Sequence, residues 1–163
     1  NAKPGAVLLL SQPAGDVVLD SSDEPLVLVS AGIGITPVAA ILEDLSRRQP
    51  ARTVRLFHAD RDHDSHALYA SLRSQIVAMS DAKAQNWYEA GAESAPTIHP
   101  AKSGFMNLDD VDLPDNPRVF MCGPLAFMQS ARGTLMRRGV ASERIHYEVF
   151  GPDLWAQQPD NAG

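Results

Sequence analysis

An α/β fold is predicted for this chain: a doubly wound parallel sheet of five strands in the order 3-2-1-4-5, preceded by a short N-terminal β-hairpin. Three observations lead there. Leu26-Val27-Leu28-Val29-Ser30 is a continuous apolar run, the pattern of a strand buried on both faces. Short apolar runs then alternate with stretches of helical period, which calls for parallel strands joined by crossover helices. Two glycine loops, Gly32–Pro37 and Cys122–Pro124, follow strands that this order makes neighbours. The chain reverses its direction of winding between them, and in such sheets a ligand occupies the crevice beyond the carboxyl ends of the strands at that point.

The elements follow in order. Val7–Leu10 and Val17–Leu19, separated by the turn residues Gln12-Pro13-Ala14-Gly15-Asp16, read as a hairpin. Predicted strand 1 is Leu26–Ser30. After Gly32-Ile33-Gly34-Ile35, Thr36-Pro37 opens a helix, with Thr36 as its cap and Pro37 in its first position. Val38, Ile41, Leu42 and Leu45 form its apolar stripe. Predicted strand 2 is Val54–His58, and Leu68, Leu72, Ile76 and Met79 line a second helix. Predicted strand 3 is Asn86–Glu89. Residues 91–117 read as a loose stretch too polar for the core, with some helix near Leu108–Val111. Predicted strand 4 is Arg118–Cys122. Phe127, Met128, Ala131, Leu135 and Met136 mark a third helix that stops at Gly139. Predicted strand 5 is Ile145–Phe150, and residues from Gly151 onward read as a tail. The domain division is thus 3–20 for the hairpin, 25–152 for the sheet and 153–163 for a tail or linker.

Composition narrows the function classes. A formal net charge of -6 and a pI near 5.2 argue against nucleic acid or an anionic membrane surface as partner. No apolar run is long enough to span a bilayer. The single cysteine, Cys122, rules out an internal disulfide and suits a cytoplasmic location. His58-Ala59-Asp60-Arg61-Asp62-His63-Asp64-Ser65-His66 contains metal-ligand residue types but no established ligand spacing, so a solvated turn is expected and no metal.

Chemistry points to the two glycine loops. Glycine allows backbone to approach a ligand, and the helix behind Gly32–Pro37 would offer free N–H groups and a positive dipole end to a pyrophosphate. The same spacing also serves a tight strand–helix turn with no ligand, and Pro37 stands where a dinucleotide fingerprint has its third glycine. Cys122-Gly123-Pro124 would leave a flat surface beside which a planar ring can lie, or simply end a strand at a buried cysteine. Glu89 falls where an acidic side chain can accept a hydrogen bond from an adenosine 2′-OH and repel a 2′-phosphate, with Arg61 as a countervailing cation.

Three motifs in sequence carry a resemblance: Gly32-x-Gly34-x-Thr36-Pro37 after a buried strand, Cys122-Gly123-Pro124-x-x-Phe127-Met128, and Tyr147-Glu148-x-Phe150-Gly151-Pro152. Together with Pro13–Asp16, Phe57-His58-Ala59 and Trp87-Tyr88 they span residues 3–152. The set resembles the NAD(P)H-binding domain of the ferredoxin–NADP reductase superfamily, in particular the reductase portion of flavohemoglobins. The resemblance implies that Ala31, Gly32, Gly34, Thr36 and Pro37 hold the pyrophosphate, with His58 and Glu89 also on the cofactor. It implies that Cys122, Gly123 and Pro124 flank the nicotinamide, and that Phe150 and Glu148 approach a flavin, so that Cys122, Glu148 and Phe150 stand at the reacting centre. The implied cofactors are NADH (or NADPH) and FAD. The flavin-binding Arg-x-Tyr-Ser segment is missing and Val17 replaces the usual aromatic. FAD is therefore expected mainly on a domain of the same polypeptide outside this chain, with residues 3–20 as the last hairpin of its barrel. Electrons would pass on to a heme globin, as in a nitric-oxide dioxygenase, or to a 2Fe-2S ferredoxin domain; a non-catalytic nucleotide-sensing module is the alternative. A bulky side chain at Gly34 is expected to block the ligand and leave the fold largely intact, and the chain alone to be colourless and unable to oxidise NADH.

Overall fold

The computed structural model describes residue 19 and residues 21–148. The expected hairpin, the 153–163 tail, Val149 and Phe150 lie outside the described residues, apart from Leu19, which packs against the core. The chain runs β1 (Leu26–Ala31), α1 (Ile35–Arg48), β2 (Val54–Asp60), α2 (Tyr69–Ala78), β3 (Ala82–Tyr88), β4 (Lys102–Ser103), β5 (Arg118–Cys122), α3 (Leu125–Arg137) and β6 (Ile145–Glu148). The sheet has the order β4-β3-β2-β1-β5-β6, and every described pairing is parallel. The expected order of five strands is present in full. The count is corrected to six by β4, a two-residue edge strand on Trp87–Tyr88. Lys102 and Ser103 are exposed and too few to show any alternation.

Alternate residues of the central strands feed two cores. Leu26, Leu28, Leu56 and Phe120 pack with α1 and α2; Val27, Val29, Phe57, Val119 and Met121 pack with α3 on the other face. This two-sided burial is why β1 has no polar alternation. The α1 stripe of Val38, Ile41, Leu42 and Leu45 is buried as expected.

Several local expectations are corrected. A 3-10 turn over Gly32–Gly34 runs straight into α1, so the helix begins at Ile35 with Gly34 in the cap position. Thr36 therefore caps nothing: its hydroxyl donates back to the Ile33 carbonyl at 3.0 Å. Pro37 is the third helical residue, still within the first turn where its missing N–H costs nothing. Leu68 is not on the apolar face of α2; it precedes the helix in a left-handed conformation, φ 61°, half exposed. β3 starts four residues earlier than expected, at Ala82. Met136 faces solvent. Leu108 and Val111 are buried against the α3 face without forming a helix, so the 91–117 stretch contributes to the core after all.

Candidate functional site

Parallel strands deliver their C-terminal residues to one edge, and there the chain leaves a groove of about 850 Å³ on the α3 side of the sheet. Its floor is Ala31 and Gly32 after β1, and Ala59, Asp60 and Arg61 at the end of β2. Glu89 after β3 and the Gly104–Asp109 segment form one wall; Pro124 and α3 form the other. On α3 the lining residues Ala126, Ser130, Thr134 and Arg137 recur at helical spacing, so this wall runs for about 16 Å at the 1.5 Å rise of a helix. Most are small, which leaves a slot. Arg137 and Asp109 approach each other at 3.6 Å across the far end.

The two glycine loops meet as the topology requires, but the glycines do different things. Gly32 has φ +52°, a conformation L side chains rarely adopt, and a Cβ there would project into open space. Gly34 is buried beneath it. A Cβ on Gly34 would lie 2.5 Å from the Cys122 carbonyl carbon and 2.9 Å from the Gly123 nitrogen. Gly34 is thus required for backbone to lie on backbone where the loops cross, and the expectation that a larger side chain spares the fold is corrected. Gly123 is similarly confined: a Cβ would stand 2.9 Å from the Phe127 ring and 3.3 Å from Ala31.

Of the residues singled out in the sequence, Ala31, Gly32, Glu89 and Pro124 line the groove. Cys122, Pro37 and Glu148 instead border a small recess on the α1 side of the loop crossing, with Val38 and Ile41. Cys122 is buried, and burial followed by the Glu148 charge pushes its thiol up to about 11. It is a neutral thiol at neutral pH. Thr36 is exposed and lines neither the groove nor the recess.

His58 does not open into the groove: it is fully buried, and its Nδ1 lies 2.9 Å from the Ser30 hydroxyl on the neighbouring strand. Within the 58–66 segment Arg61 and Asp64 are exposed, as expected of a solvated turn, but His58 and His66 at its two ends are buried. The His58 and His66 rings lie against each other, tilted by 38° with centroids 4.0 Å apart, and His66 Nδ1 and the buried Tyr88 hydroxyl are hydrogen-bonded at 2.8 Å. Burial depresses His58 to about 4 and His66 to about 3, the latter helped by the His58 charge, and pushes the Tyr88 phenol up. Ser30, His58 and Asp60 fall in a row that resembles a hydrolase relay, yet Ser30 has no exposure and can meet no substrate. Among the described residues no group of His, Cys, Asp and Glu is arranged to hold a metal ion, and no helix is long and apolar enough to cross a membrane.

Sequence reasoning missed the groove wall formed by Gly104–Asp109 and α3. Its one visible signal was Gly104-Phe105, an aromatic after glycine in a polar stretch; Phe105 is 82% exposed at the groove's edge.

Comparison with known proteins places these features. A flavohemoprotein of Chromobacterium violaceum is 42% identical over 153 residues, covering 90% of this chain and 37% of the relative. The crystal structure of the flavohem-like FAD/NAD-binding domain of nitric oxide dioxygenase from Vibrio cholerae superposes with a TM-score of 0.77 at 34% identity, over 86% of this chain and 56% of that one. Flavohemoglobin from Malassezia yamatoensis, solved with bound FAD and heme, gives 0.76 at 33% identity, over 86% and 36% respectively. The chain therefore spans little more than a third of the length of the flavohemoproteins it matches. The model of the oxidoreductase NAD-binding domain matches residues 28–133, which include the two crossing loops and all but the last residue pair of the α3 wall. With its groove at the winding reversal of the sheet, the chain belongs to the oxidoreductase NAD-binding domain family.

Proposed function

We propose that this chain is the pyridine-nucleotide half of a flavin-dependent reductase: it binds NADH, or less readily NADPH, in the groove and presents the nicotinamide to FAD held mainly by another domain of the same polypeptide. The observation that carries the reading is the 850 Å³ groove itself, within the roughly 300–1,000 Å³ of small-molecule sites and located at the topological switch point.

The residues fit a dinucleotide. The first N–H groups of α3, from Leu125 to Phe127, have no partner within the helix and stand beside Gly32, a setting for a pyrophosphate. Phe105 offers an exposed aromatic face to the adenine. Glu89 and Arg61 flank the adenosine end, and the Glu89 carboxylate favours a free 2′-OH over a 2′-phosphate. At the loop crossing, Cys122, Gly123 and Pro124 leave a flat backbone surface for the nicotinamide; Glu148 borders the recess on the α1 side of that crossing together with Cys122. The bound flavin would supply the hydride acceptor. The chain's own task is orientation and exclusion of water, with no general acid or base.

The likeness to flavohemoproteins over 90% of the chain supports a heme globin as the onward electron acceptor in preference to a 2Fe-2S domain. The single cysteine in the sequence supports a cytoplasmic setting. Lacking the Arg-x-Tyr-Ser segment, the chain alone should be colourless and fail to oxidise NADH.

Calorimetric titration of the full chain with NADH, NADPH and ADP-ribose tests the reading. Saturable binding is expected, favouring NADH over NADPH. Ser130→Trp, an exposed site on the α3 wall, should fill the slot and abolish binding with the fold intact by circular dichroism. Unchanged NADH affinity in this variant would refute the groove as the site; binding in the chain with no activity in the flavin-containing parent would favour the nucleotide-sensing alternative.

A further inference from the structure

Between β5 and β6, α3 carries the chain back from the C-terminal ends of the strands, so the groove it walls runs down the face of the sheet as well as along its edge. From Ala126 to Thr134 this wall measures about 12 Å at the rise of a helix, the reach of an extended AMP unit from its phosphate to the amino group of its base. The sides suit a planar base: Phe105 and Leu108 on one, Ala126 and Ala131 on the other. The far end is polar, and a single nitrogen organises it. Arg137 Nη2 donates to the Thr134 hydroxyl at 3.0 Å and pairs with Asp109 Oδ1 at 3.6 Å. The backbone that carries Asp109 is anchored beside it. Leu108 is buried, its carbonyl accepts from Arg138 Nη1 at 2.7 Å, and the Asn107 side chain accepts the Asp109 N–H at 2.8 Å.

We propose that Asp109 and Thr134 read the base of the nucleotide and make the groove selective for adenine over a 6-oxopurine. The inference rests on the nucleotide-binding reading above and deepens it, because that reading leaves the far end of the groove without a task. The Thr134 oxygen accepts from Arg137, which turns the hydroxyl proton away from the guanidinium, and no described residue accepts that proton. The Asp109 carboxylate can only accept, and its Oδ2 has no partner among the described residues. Gathered on one guanidinium nitrogen, the two side chains present an acceptor beside a donor. Adenine carries the complement on adjacent atoms of one edge: the 6-amino group donates and N1 accepts. Hypoxanthine carries the inverse, a carbonyl oxygen at position 6 and a hydrogen on N1. That edge would set oxygen against the carboxylate and hydrogen against the hydroxyl proton, so the wrong base is repelled as well as unpaired. Arg137 is the positioning residue of the pair, since its Nη2 fixes where acceptor and donor stand relative to each other.

The test titrates the full chain with NADH and with its hypoxanthine analogue, in which a carbonyl replaces the adenine amino group. The unaltered chain should bind NADH about tenfold more tightly, the worth of one hydrogen bond to a charged group at a partly hydrated rim. Asp109→Asn, at an exposed position, exchanges the acceptor for an amide that can also donate to the 6-carbonyl, and the ratio should fall to about twofold or less. Thr134→Val removes the donor to N1; NADH affinity should drop about threefold with the affinity for the analogue unmoved. A slot that had merely lost its shape would weaken both ligands alike and keep the ratio. Equal affinity of the unaltered chain for the two ligands overturns the proposal and leaves the nucleotide-binding reading standing, and so does a tenfold ratio that survives Asp109→Asn. Failure of the unaltered chain to bind either ligand refutes the nucleotide-binding reading, and this inference falls with it.

Discussion

Replacing Gly34 by alanine adds one methyl group at the most constrained point of the structure. That methyl would stand 2.5 Å from the Cys122 carbonyl carbon and 2.9 Å from the Gly123 nitrogen, where ordinary van der Waals contact begins at 3.4 Å. Both obstacles are backbone, so no side chain can swing aside, and the loops must part by about 1 Å. β1 and β5 are paired up to Ser30 and Cys122, immediately before the crossing, so the displacement strains the last ladder pair. Overpacking of this kind costs about 1–3 kcal/mol, and a clash against backbone belongs at the upper end. For a domain of this size about 3 kcal/mol lowers the melting temperature by roughly 6–12 °C. Differential scanning calorimetry of Gly34→Ala beside the unaltered chain reads it directly. Nucleotide affinity should fall as well, through the displaced crossing. A melting temperature within about 2 °C of the unaltered chain would refute the packing argument and return Gly34 to a role at the ligand.

Three further outcomes are expected. His58 and His66 are held neutral by burial, whereas in the unfolded chain they titrate near ~6.5; stability should therefore be complete above that pH and fall as pH drops toward 4, by about 3 kcal/mol at pH 4 from His58 alone. Urea unfolding across pH 4–7 checks this, and a flat profile would contradict it. Cys122, with its thiol raised to about 11, should resist iodoacetamide at pH 8 for hours in the folded chain and react within minutes in denaturant; rapid labelling of the folded chain would show it exposed. Phe105→Ala should weaken ADP-ribose binding about fivefold, a loss of about 1 kcal/mol of stacking, without moving the melting temperature, because the ring is already in solvent; equal affinity would remove Phe105 from the adenine site.

Where burial dictated the residue, the sequence was readable. Leu26–Val29 had to be a central strand because four consecutive apolar residues need cover on both faces, and the stripe of α1 had to face that strand. The glycine loops were readable as special, and the parallel topology brought them together. What they touch was not: Gly34 accommodates the Cys122 backbone, and no local pattern distinguishes that need from close approach to a ligand. Leu68 carried the right period but follows a turn that throws it into a left-handed conformation. Leu108 and Val111 are isolated apolar residues among acids and prolines, buried by tertiary contact alone. The histidines were conspicuous, yet their meaning depends on Ser30 and Tyr88, 28 and 22 residues away along the chain. The groove wall from α3 was hidden because Ala126, Ser130 and Thr134 matter for being small.

The central claim is that the groove between α3 and the Gly104–Asp109 segment receives a pyridine dinucleotide. An amide-resolved NMR titration of the isotopically labelled chain with NADH tests it most directly. The account predicts saturable shifts at Gly32, Asp60, Arg61, Glu89, Phe105 and the Leu125–Phe127 amides, and none along the outer face of α2. Saturating NADH that leaves these amides unmoved, or moves a different surface, would contradict it.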